Sequence, residues 1–153
     1  LAKIGKVDQL ILNHAIDNFE INSYSQSLDI KNFDVSFARG LSLEDGCATI
    51  TNFTAYLIAR GLEHISQKVK IRYLVCGGGR KNNYLIDCIK NYLINKNRIN
   101  LELIDNYNFN GDYIESQAFA FLAIRRFLNL PISFSKTTGC NEPTVGGKLV
   151  ENF

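Results

Sequence analysis

The chain has 153 residues, of which 46% are apolar and 21% are charged, so it is long enough for one domain with a hydrophobic core. Its formal net charge is only +2, which does not favour a nucleic-acid partner or an anionic membrane surface. No apolar run reaches the roughly 20 residues that cross a bilayer, and the first residues do not resemble a signal peptide. We therefore expect a single cytoplasmic domain over residues 1–153, with no nucleic-acid or membrane partner.

The cysteines and the N-terminus carry two further expectations. Cys47, Cys76, Cys88 and Cys140 match no metal-binding spacing, so we expect reduced thiols that lie in the core or line a site, and no metal held by protein side chains. The sequence has no methionine and begins with Leu1, so we expect that its N-terminus was lost or cut.

Two helices are predicted in the first half of the chain. Residues 6–19 predict a helix whose inward stripe comprises Val7, Leu10, Ile11, His14 and Ala15. His14 in that stripe is interpreted as a helix-face residue rather than a ligand. Residues 21–41 are predicted to be irregular. Residues 43–66 predict a long helix capped by Ser42. Its buried stripe is expected to comprise Leu43, Cys47, Ile50, Thr54, Leu57, Ile58, Leu62 and Ile65.

Strands and helices alternate in the second half. Residues 71–76 and 100–104 are short apolar runs that predict buried strands, and residues 131–135 predict a third short strand. Residues 82–94 and 112–129 predict helices. This order favours an α/β fold in which the first two strands are parallel neighbours and the helices pack on them.

Three consecutive glycines, Gly77, Gly78 and Gly79, lie between the first strand and the next helix. Glycine permits positive φ and lets a ligand approach the main chain, and the N-terminus of a helix favours phosphate. The spacing matches neither GxGxxG nor the P-loop pattern. Two interpretations remain open: a nucleotide-binding turn at the carboxyl end of the sheet, and a tight turn without a ligand.

The helix predicted over residues 112–129 begins with a pair of carboxylates. In "GDYIES", Asp112 stands three residues before Glu115, which is the spacing of an N-cap residue and a carboxylate at position N3. Capping explains both residues. In the functional alternative, Glu115 accepts hydrogen bonds from substrate hydroxyls beside the strand end, and the two roles are compatible.

Four segments of the chain together resemble the C-terminal half of the 1,6-anhydro-N-acetylmuramic acid kinases. They are "LEDGCATITNFTAYLIA", "VCGGGRKN", "NGDYIESQAFAFLAIR" and "LPISFSKTTG". The combination of CGGGxxN with a later GDxxExxAFAxLA is specific, and the resemblance covers essentially the whole chain. It implies the C-terminal, nucleotide-binding part of a ribonuclease-H-like (actin-like ATPase) lobe, with parallel strands and packed helices and with the N-terminal lobe absent.

The resemblance also implies a function. The family comprises ATP-dependent phosphotransferases of murein recycling, which convert 1,6-anhydro-N-acetylmuramic acid to N-acetylmuramic acid 6-phosphate with ATP and Mg²⁺. By resemblance, Gly77, Gly78 and Gly79 match the adenosine-side motif, and Asn82 would hydrogen-bond the nucleotide or fix the turn. Glu115 matches the Glu expected to hold the sugar. The implied partners are ATP, the anhydro-amino-sugar, and either a second copy or the missing N-terminal half.

Two family segments are not in the sequence: the N-terminal phosphate loop and the segment with the general-base aspartate. We therefore expect no catalytic residue in this chain, and we expect it to be inactive alone, because phosphoryl transfer depends on positioning and charge around the γ-phosphate. A truncated, catalytically silent nucleotide-binding domain stays as the alternative. A dinucleotide-dependent oxidoreductase is disfavoured because the glycine spacing is wrong and Asp105, its only acidic candidate, lies too far beyond Gly77.

Overall fold

The computed structural model describes residues 1–19, 33–66 and 69–150. Most of the stretch predicted to be irregular, residues 20–32, lies outside these ranges, and its remainder contains a 3₁₀ turn at Ser36–Ala38. The helices of the described ranges are α1 (Gln9–Asn18), α2 (Leu43–Ile65), α3 (Asn83–Tyr92), α4 (Ile114–Phe127) and the one-turn α5 (Ser135–Thr138). The strands are β1 (Ile71–Val75) and β2 (Ile99–Leu103).

The predicted parallel pairing of the two strands is confirmed. β1 and β2 are hydrogen-bonded neighbours in a parallel sheet, with Ile71 opposite Ile99 and Val75 opposite Leu103. Parallel strands need a crossover connection, and α3 provides it here. The predicted α/β class is therefore correct, and the carboxyl ends of both strands meet at one edge of the sheet.

The main core lies between the sheet, α2 and α3. Along β2, Ile99 and Leu101 are buried while the residue between them is exposed, as expected of a strand with one covered face. From the helices, the core receives Ala55 and Ala59 of α2 together with Ile86, Cys88 and Ile89 of α3, and Leu93 just beyond it. The two alanines have no exposed surface, so α3 packs directly against a smooth face of α2.

The predicted buried stripe of α2 is wrong. None of its eight residues is buried, and Leu43, Thr54, Ile58 and Ile65 are exposed. Apart from Phe53, the face that packs inward is made of smaller side chains instead, which let neighbouring helices approach closely. Its buried residues are Gly46, Ala48, Thr49, Asn52, Phe53, Ala55 and Ala59. The predicted cap is confirmed, since the Ser42 hydroxyl accepts a hydrogen bond from the Asp45 N–H at 3.2 Å.

A polar network joins α2 to α3 within the core. The buried Asn52 Nδ2 donates to the Tyr84 hydroxyl at 3.1 Å, and the Tyr92 hydroxyl donates to Asn52 Oδ1 at 3.1 Å. Burial raises the pKa of both tyrosine hydroxyls, which keeps them protonated as hydrogen-bond partners. The network fixes the register of the two helices, since buried polar groups must find partners.

A second, smaller core lies where α1 packs on α2. Asp8 caps α1 by accepting from the Ile11 N–H at 2.9 Å, and Leu12 and Ala15 pack against Phe53. The predicted stripe of α1 is thus only partly correct, because Leu12 rather than Leu10 faces inward. His14 lies on the exposed face of the helix, where it hydrogen-bonds with the Asn18 side chain.

The segment from α4 onward differs from the rest of the described structure. α4 contributes no buried residue, so the expectation that this helix packs on the strands is wrong for the described chain. The predicted third strand is also wrong: only Ser133 forms an isolated antiparallel bridge, with Thr144, and α5 follows at once.

Two remaining expectations concern cysteines and membranes. All four cysteines are free thiols; Cys88 is buried in the core, where burial raises its pKa, and Cys76 is exposed beside the glycines. Among the described residues, no helix combines the length and the apolar character that membrane crossing requires.

Candidate functional site

The three glycines form a turn at the carboxyl end of β1. Gly77 has φ +75°, a conformation that side chains other than glycine rarely adopt, and its N–H donates to the carbonyl oxygen of Gly111 at 2.9 Å. A 3₁₀ turn over Gly78–Lys81 follows and leads into α3. The turn therefore lies at the sheet edge where open α/β proteins bind their ligands.

At Gly78 and Gly79, unlike at Gly77, neither backbone conformation nor packing requires a glycine. Neither has a positive φ, both are exposed, and a Cβ atom on either would meet no heavy atom within 4 Å. Their N–H groups have no acceptor among the described residues. The fold itself thus does not require glycine at these two positions, and their backbone is open to a group from outside the chain.

Asn82 closes the turn as the N-cap of α3. Its Oδ1 accepts a hydrogen bond from the Leu85 N–H at 3.1 Å, which satisfies one of the free donors of the helix N-terminus. Its Nδ2 group has no acceptor among the described residues. The side chain thus fixes the turn, one of the two roles expected for it, and leaves a donor for a ligand.

The central residue of the site is Arg80, which the sequence analysis did not single out. Its guanidinium is 6% exposed and makes two parallel bonds to Asp105, from Nε at 2.7 Å and from Nη2 at 3.0 Å. Its Nη1 donates to Asp112 at 2.7 Å and to the Gly77 carbonyl oxygen at 2.9 Å. Arg80 therefore ties the glycine turn to the loop after β2 and to the residues just before α4.

Gly111 makes room for this guanidinium. A Cβ atom at Gly111 would lie 2.3 Å from the Arg80 Nε, far inside contact distance. An arginine directly after the glycines and a glycine directly before Asp112 are the only traces of the cluster in the sequence. They could not be connected without the fold, because the two segments lie more than thirty positions apart.

The charges of the cluster shift the titration of its members. Hydrogen bonds from Arg80, and then from Lys81, lower the pKa of Asp112 from 3.8 to about 2. The hydrogen bonds from Arg80 also lower the pKa of Asp105, and the two carboxylates raise the pKa of Arg80. Asp105 and Asp112 are 41% and 42% exposed, so water screens these pairs, and the direction of the shifts keeps both carboxylates and Arg80 charged at neutral pH.

The predicted capping role of Asp112 is wrong. The N-cap position of α4 is Tyr113, which makes no side-chain cap, and the Asp112 carboxylate is bonded to Arg80 and to the Lys81 Nζ at 2.7 Å. Two cations attract a carboxylate more strongly than a neutral N–H does. Glu115 lies exposed in the first turn of α4 and forms no hydrogen bond or ion pair within the described ranges, so its carboxylate is available.

The geometry also bears on the alternatives from the sequence. Both oxygens of Asp105 are engaged by Arg80, which leaves that carboxylate poorly placed to bind the ribose of a dinucleotide. In the described part of the chain, no group of three or more His, Cys, Asp or Glu side chains could hold a metal ion. The described residues thus offer no cage of protein ligands for an ion, and Mg²⁺ that comes with a nucleotide needs none, because phosphate oxygens and one or two carboxylates hold it.

Comparison with known proteins identifies the family. A family model described as anhydro-N-acetylmuramic acid kinase matches residues 17–152. An anhydro-N-acetylmuramic acid kinase of Pelagibacter ubique is 46% identical over 99% of this chain and 41% of its own length. Those of Zymomonas mobilis and Brucella anthropi are 39% and 38% identical over 81% and 98% of this chain.

The matched regions are 33% and 39% of the lengths of these last two relatives. The chain thus spans about two fifths or less of the curated relatives it matches. Because the family model covers most of the sequence and the relatives agree, the chain belongs to the anhydro-N-acetylmuramic acid kinase family.

Proposed function

We propose that this chain supplies the nucleotide-binding part of an ATP-dependent kinase that converts 1,6-anhydro-N-acetylmuramic acid to N-acetylmuramic acid 6-phosphate in cytoplasmic murein recycling. The observation that carries the proposal is the open glycine turn. Gly78 and Gly79 lie in the turn just before α3, with space above their backbone and with N–H groups that have no acceptor among the described residues, in a chain of the kinase family. Parallel strands with packed helices suit the ribonuclease-H-like lobe of actin-like ATPases.

The turn can bind a nucleotide in two ways. Without side chains at Gly78 and Gly79, the ligand can lie against the main chain, and the free N–H groups can donate to its oxygens. The N-terminus of α3 adds a partial positive charge that favours phosphate. Arg80 and Lys81 are both bonded to carboxylates, so the attraction comes from the backbone rather than from a net positive side-chain charge.

The chemistry itself requires groups from outside this sequence. Mg²⁺ would enter with ATP and lower the charge of its phosphates. The described residues can orient the nucleotide and, through Glu115, a sugar hydroxyl. We propose that phosphoryl transfer needs a polypeptide that supplies the phosphate loop and the general base, and that this chain alone binds ATP without turnover.

The glycine turn is tested by Gly78→Val. Because nothing lies within 4 Å of a Cβ at this position, the variant should fold, while the branched side chain blocks close approach of a ligand. We expect calorimetry to show weak ATP binding by the wild-type chain and none by the variant. Ala120→Val, on the exposed side of α4, is the matched control and should bind as the wild type does. Unchanged ATP binding by Gly78→Val would remove the turn from the site.

The role of Glu115 is tested in a polypeptide that also carries the N-terminal half of a relative. The carboxylate is exposed and unbonded within the described residues, so Glu115→Gln should leave the melting temperature unchanged. A sugar hydroxyl bonded to a carboxylate contributes about 1.5–3 kcal/mol, so the KM for the sugar should rise by roughly tenfold or more. Normal kinetics in this variant would show that Glu115 does not hold the substrate.

A further inference from the structure

Two side chains of the glycine turn, the buried Arg80 and the exposed Lys81, connect it to Asp112 just before α4. Arg80 belongs to the turn, and its guanidinium reaches the Gly77 carbonyl, Asp105 after β2 and Asp112 before α4. A backbone bond from the Gly77 N–H to the Gly111 carbonyl, 2.9 Å long, runs in parallel. The turn and the segment before Glu115 are thus joined by the bonds of Arg80 and Lys81 to Asp112 and by the Gly77–Gly111 backbone bond, although they lie far apart in the sequence.

The same contacts show that Arg80 is not free to bind a ligand. Four hydrogen bonds use Nε, Nη1 and Nη2, out of the five N–H donors that a guanidinium has. Its charge is matched by Asp105, and that of Lys81 by Asp112, so the cluster has no net charge. An arginine this fully engaged holds protein segments in place instead of contacting phosphate.

We propose that Arg80 is a positioning residue that locks the glycine turn to the residues before α4, so that the nucleotide turn and the carboxylate of Glu115 are held as one unit. A ligand bound at the turn then changes the affinity for a ligand at the first turn of α4. The reverse holds equally, because coupling between two sites is reciprocal. The inference rests on the proposed function for the identity of the two ligands. The mechanical link rests only on the contacts of Arg80.

The link is tested without any ligand by amide hydrogen exchange of the complete 153-residue chain. Arg80→Lys keeps the charge but loses the two-pronged bond to Asp105, because lysine has no planar fork. We expect the amides of Gly77 and Gly111 to exchange about tenfold faster than in the wild type, as for loss of a local restraint. The amide of Ile89, in the core, should be unchanged. The control Lys81→Gln removes the Lys81–Asp112 ion pair, which is weak because the lysine is 63% exposed, but keeps every contact of Arg80 and the Gly77–Gly111 bond. It should leave all three rates unchanged.

The coupling is tested by the amide resonances of residues 112–115 under saturating ATP. In the wild type they should shift on ATP addition, and in Arg80→Lys, at equal saturation, the shifts should be lost. A purely structural role would lower stability but leave these shifts intact. The inference is overturned if Gly77 and Gly111 exchange at wild-type rates in Arg80→Lys, if Ile89 accelerates equally, or if the ATP-induced shifts persist.

Two further outcomes are also decisive. Should Arg80→Lys not fold, Asp112→Ala removes the bonds of Arg80 and Lys81 to the α4 segment and keeps the two bonds of Arg80 to Asp105. The exchange rates of Gly77 and Gly111 then decide in the same way: faster rates support the link and unchanged rates contradict it. If the wild-type chain binds no ATP, the proposed function fails on its own, and the exchange rates still decide whether Arg80 locks the two segments.

Discussion

Two regions of the described chain differ in how far their apolar side chains are buried. In residues 43–103, α2, α3 and the sheet bury a continuous apolar core, and even the polar Asn52 has its partners inside. In residues 114–150, α4 is just as apolar but has no buried residue, and five of its large side chains or those just after it are exposed: Phe119, Phe121, Ile124, Phe127 and Leu128. A helix that is apolar on most sides is normally buried. The contrast shows that apolar composition predicts a helix but does not determine what covers it.

The largest expected effect comes from replacing one isoleucine with alanine in each of the two regions. Ile89 in α3 is 3% exposed and Ile124 in α4 is 59% exposed. Ile89→Ala leaves a cavity in the core and should lower the free energy of unfolding by about 2–5 kcal/mol. Ile124→Ala, the matched control, should change it by less than about 0.5 kcal/mol. Urea unfolding of both variants measures the difference.

The outcome also tests the exposure of α4 in solution. If the two alanine variants lose similar stability, then α4 is covered in solution, and the contrast between the regions does not hold. In that case the loss for Ile124→Ala should depend on protein concentration if a second copy provides the cover, because mass action then enters the measured stability.

The second expected effect concerns the polar network inside the packed region. Asn52→Leu keeps the side-chain size but leaves the Tyr84 and Tyr92 hydroxyls without their partner, which should cost about 1–3 kcal/mol. Removing both hydroxyls in the same background, with Tyr84→Phe and Tyr92→Phe, should restore part of the loss. A double-mutant cycle by thermal unfolding gives the coupling. Additive losses would mean that the network contributes nothing as a unit.

Much of the packed region could be predicted from the sequence. The helices over residues 43–66 and 82–94 and the two parallel strands follow from apolar spacing and from the alternating order of the elements. The buried face of α2 could not, because apolar spacing favours large side chains, whereas the contact with α3 uses Ala55 and Ala59. Whether a small or a large side chain faces inward depends on the distance to the neighbouring helix, which a single sequence does not contain.

The same limit explains the errors at the site. The turn of glycines was correctly placed after β1, because strand, glycine and helix follow each other directly in the chain. Asp112 was misassigned as a helix cap because its spacing to Glu115 is a local pattern, whereas its true partner Arg80 comes from another segment. A local sequence pattern predicts bonds between neighbouring residues. Here the fold brings the Arg80 cation to Asp112, and its bond to the carboxylate replaces the predicted bond to a helix N–H.

The smallest expected effect lies at the joint between the two regions, the ion pairs of Asp112. Because its pKa is lowered from 3.8 to about 2, the folded state keeps this carboxylate charged in a pH range where the unfolded state binds a proton. The stabilisation is therefore fully present above pH 3.8 and is lost as the pH falls through about 2. Asp112→Asn should remove this part of the acid dependence, so its free energy of unfolding should fall less steeply over that range than that of the wild type. The effect is small because the side chain is 42% exposed and screened by water and salt.

The control for this prediction is Asp87→Asn, at an exposed carboxylate of α3 that forms no ion pair within the described ranges. It should keep the wild-type slope. Urea unfolding at several pH values and at low salt measures the slopes. Equal slopes for Asp112→Asn and the wild type would mean that the joint holds through the Gly77–Gly111 bond and Asp105, without a contribution from Asp112.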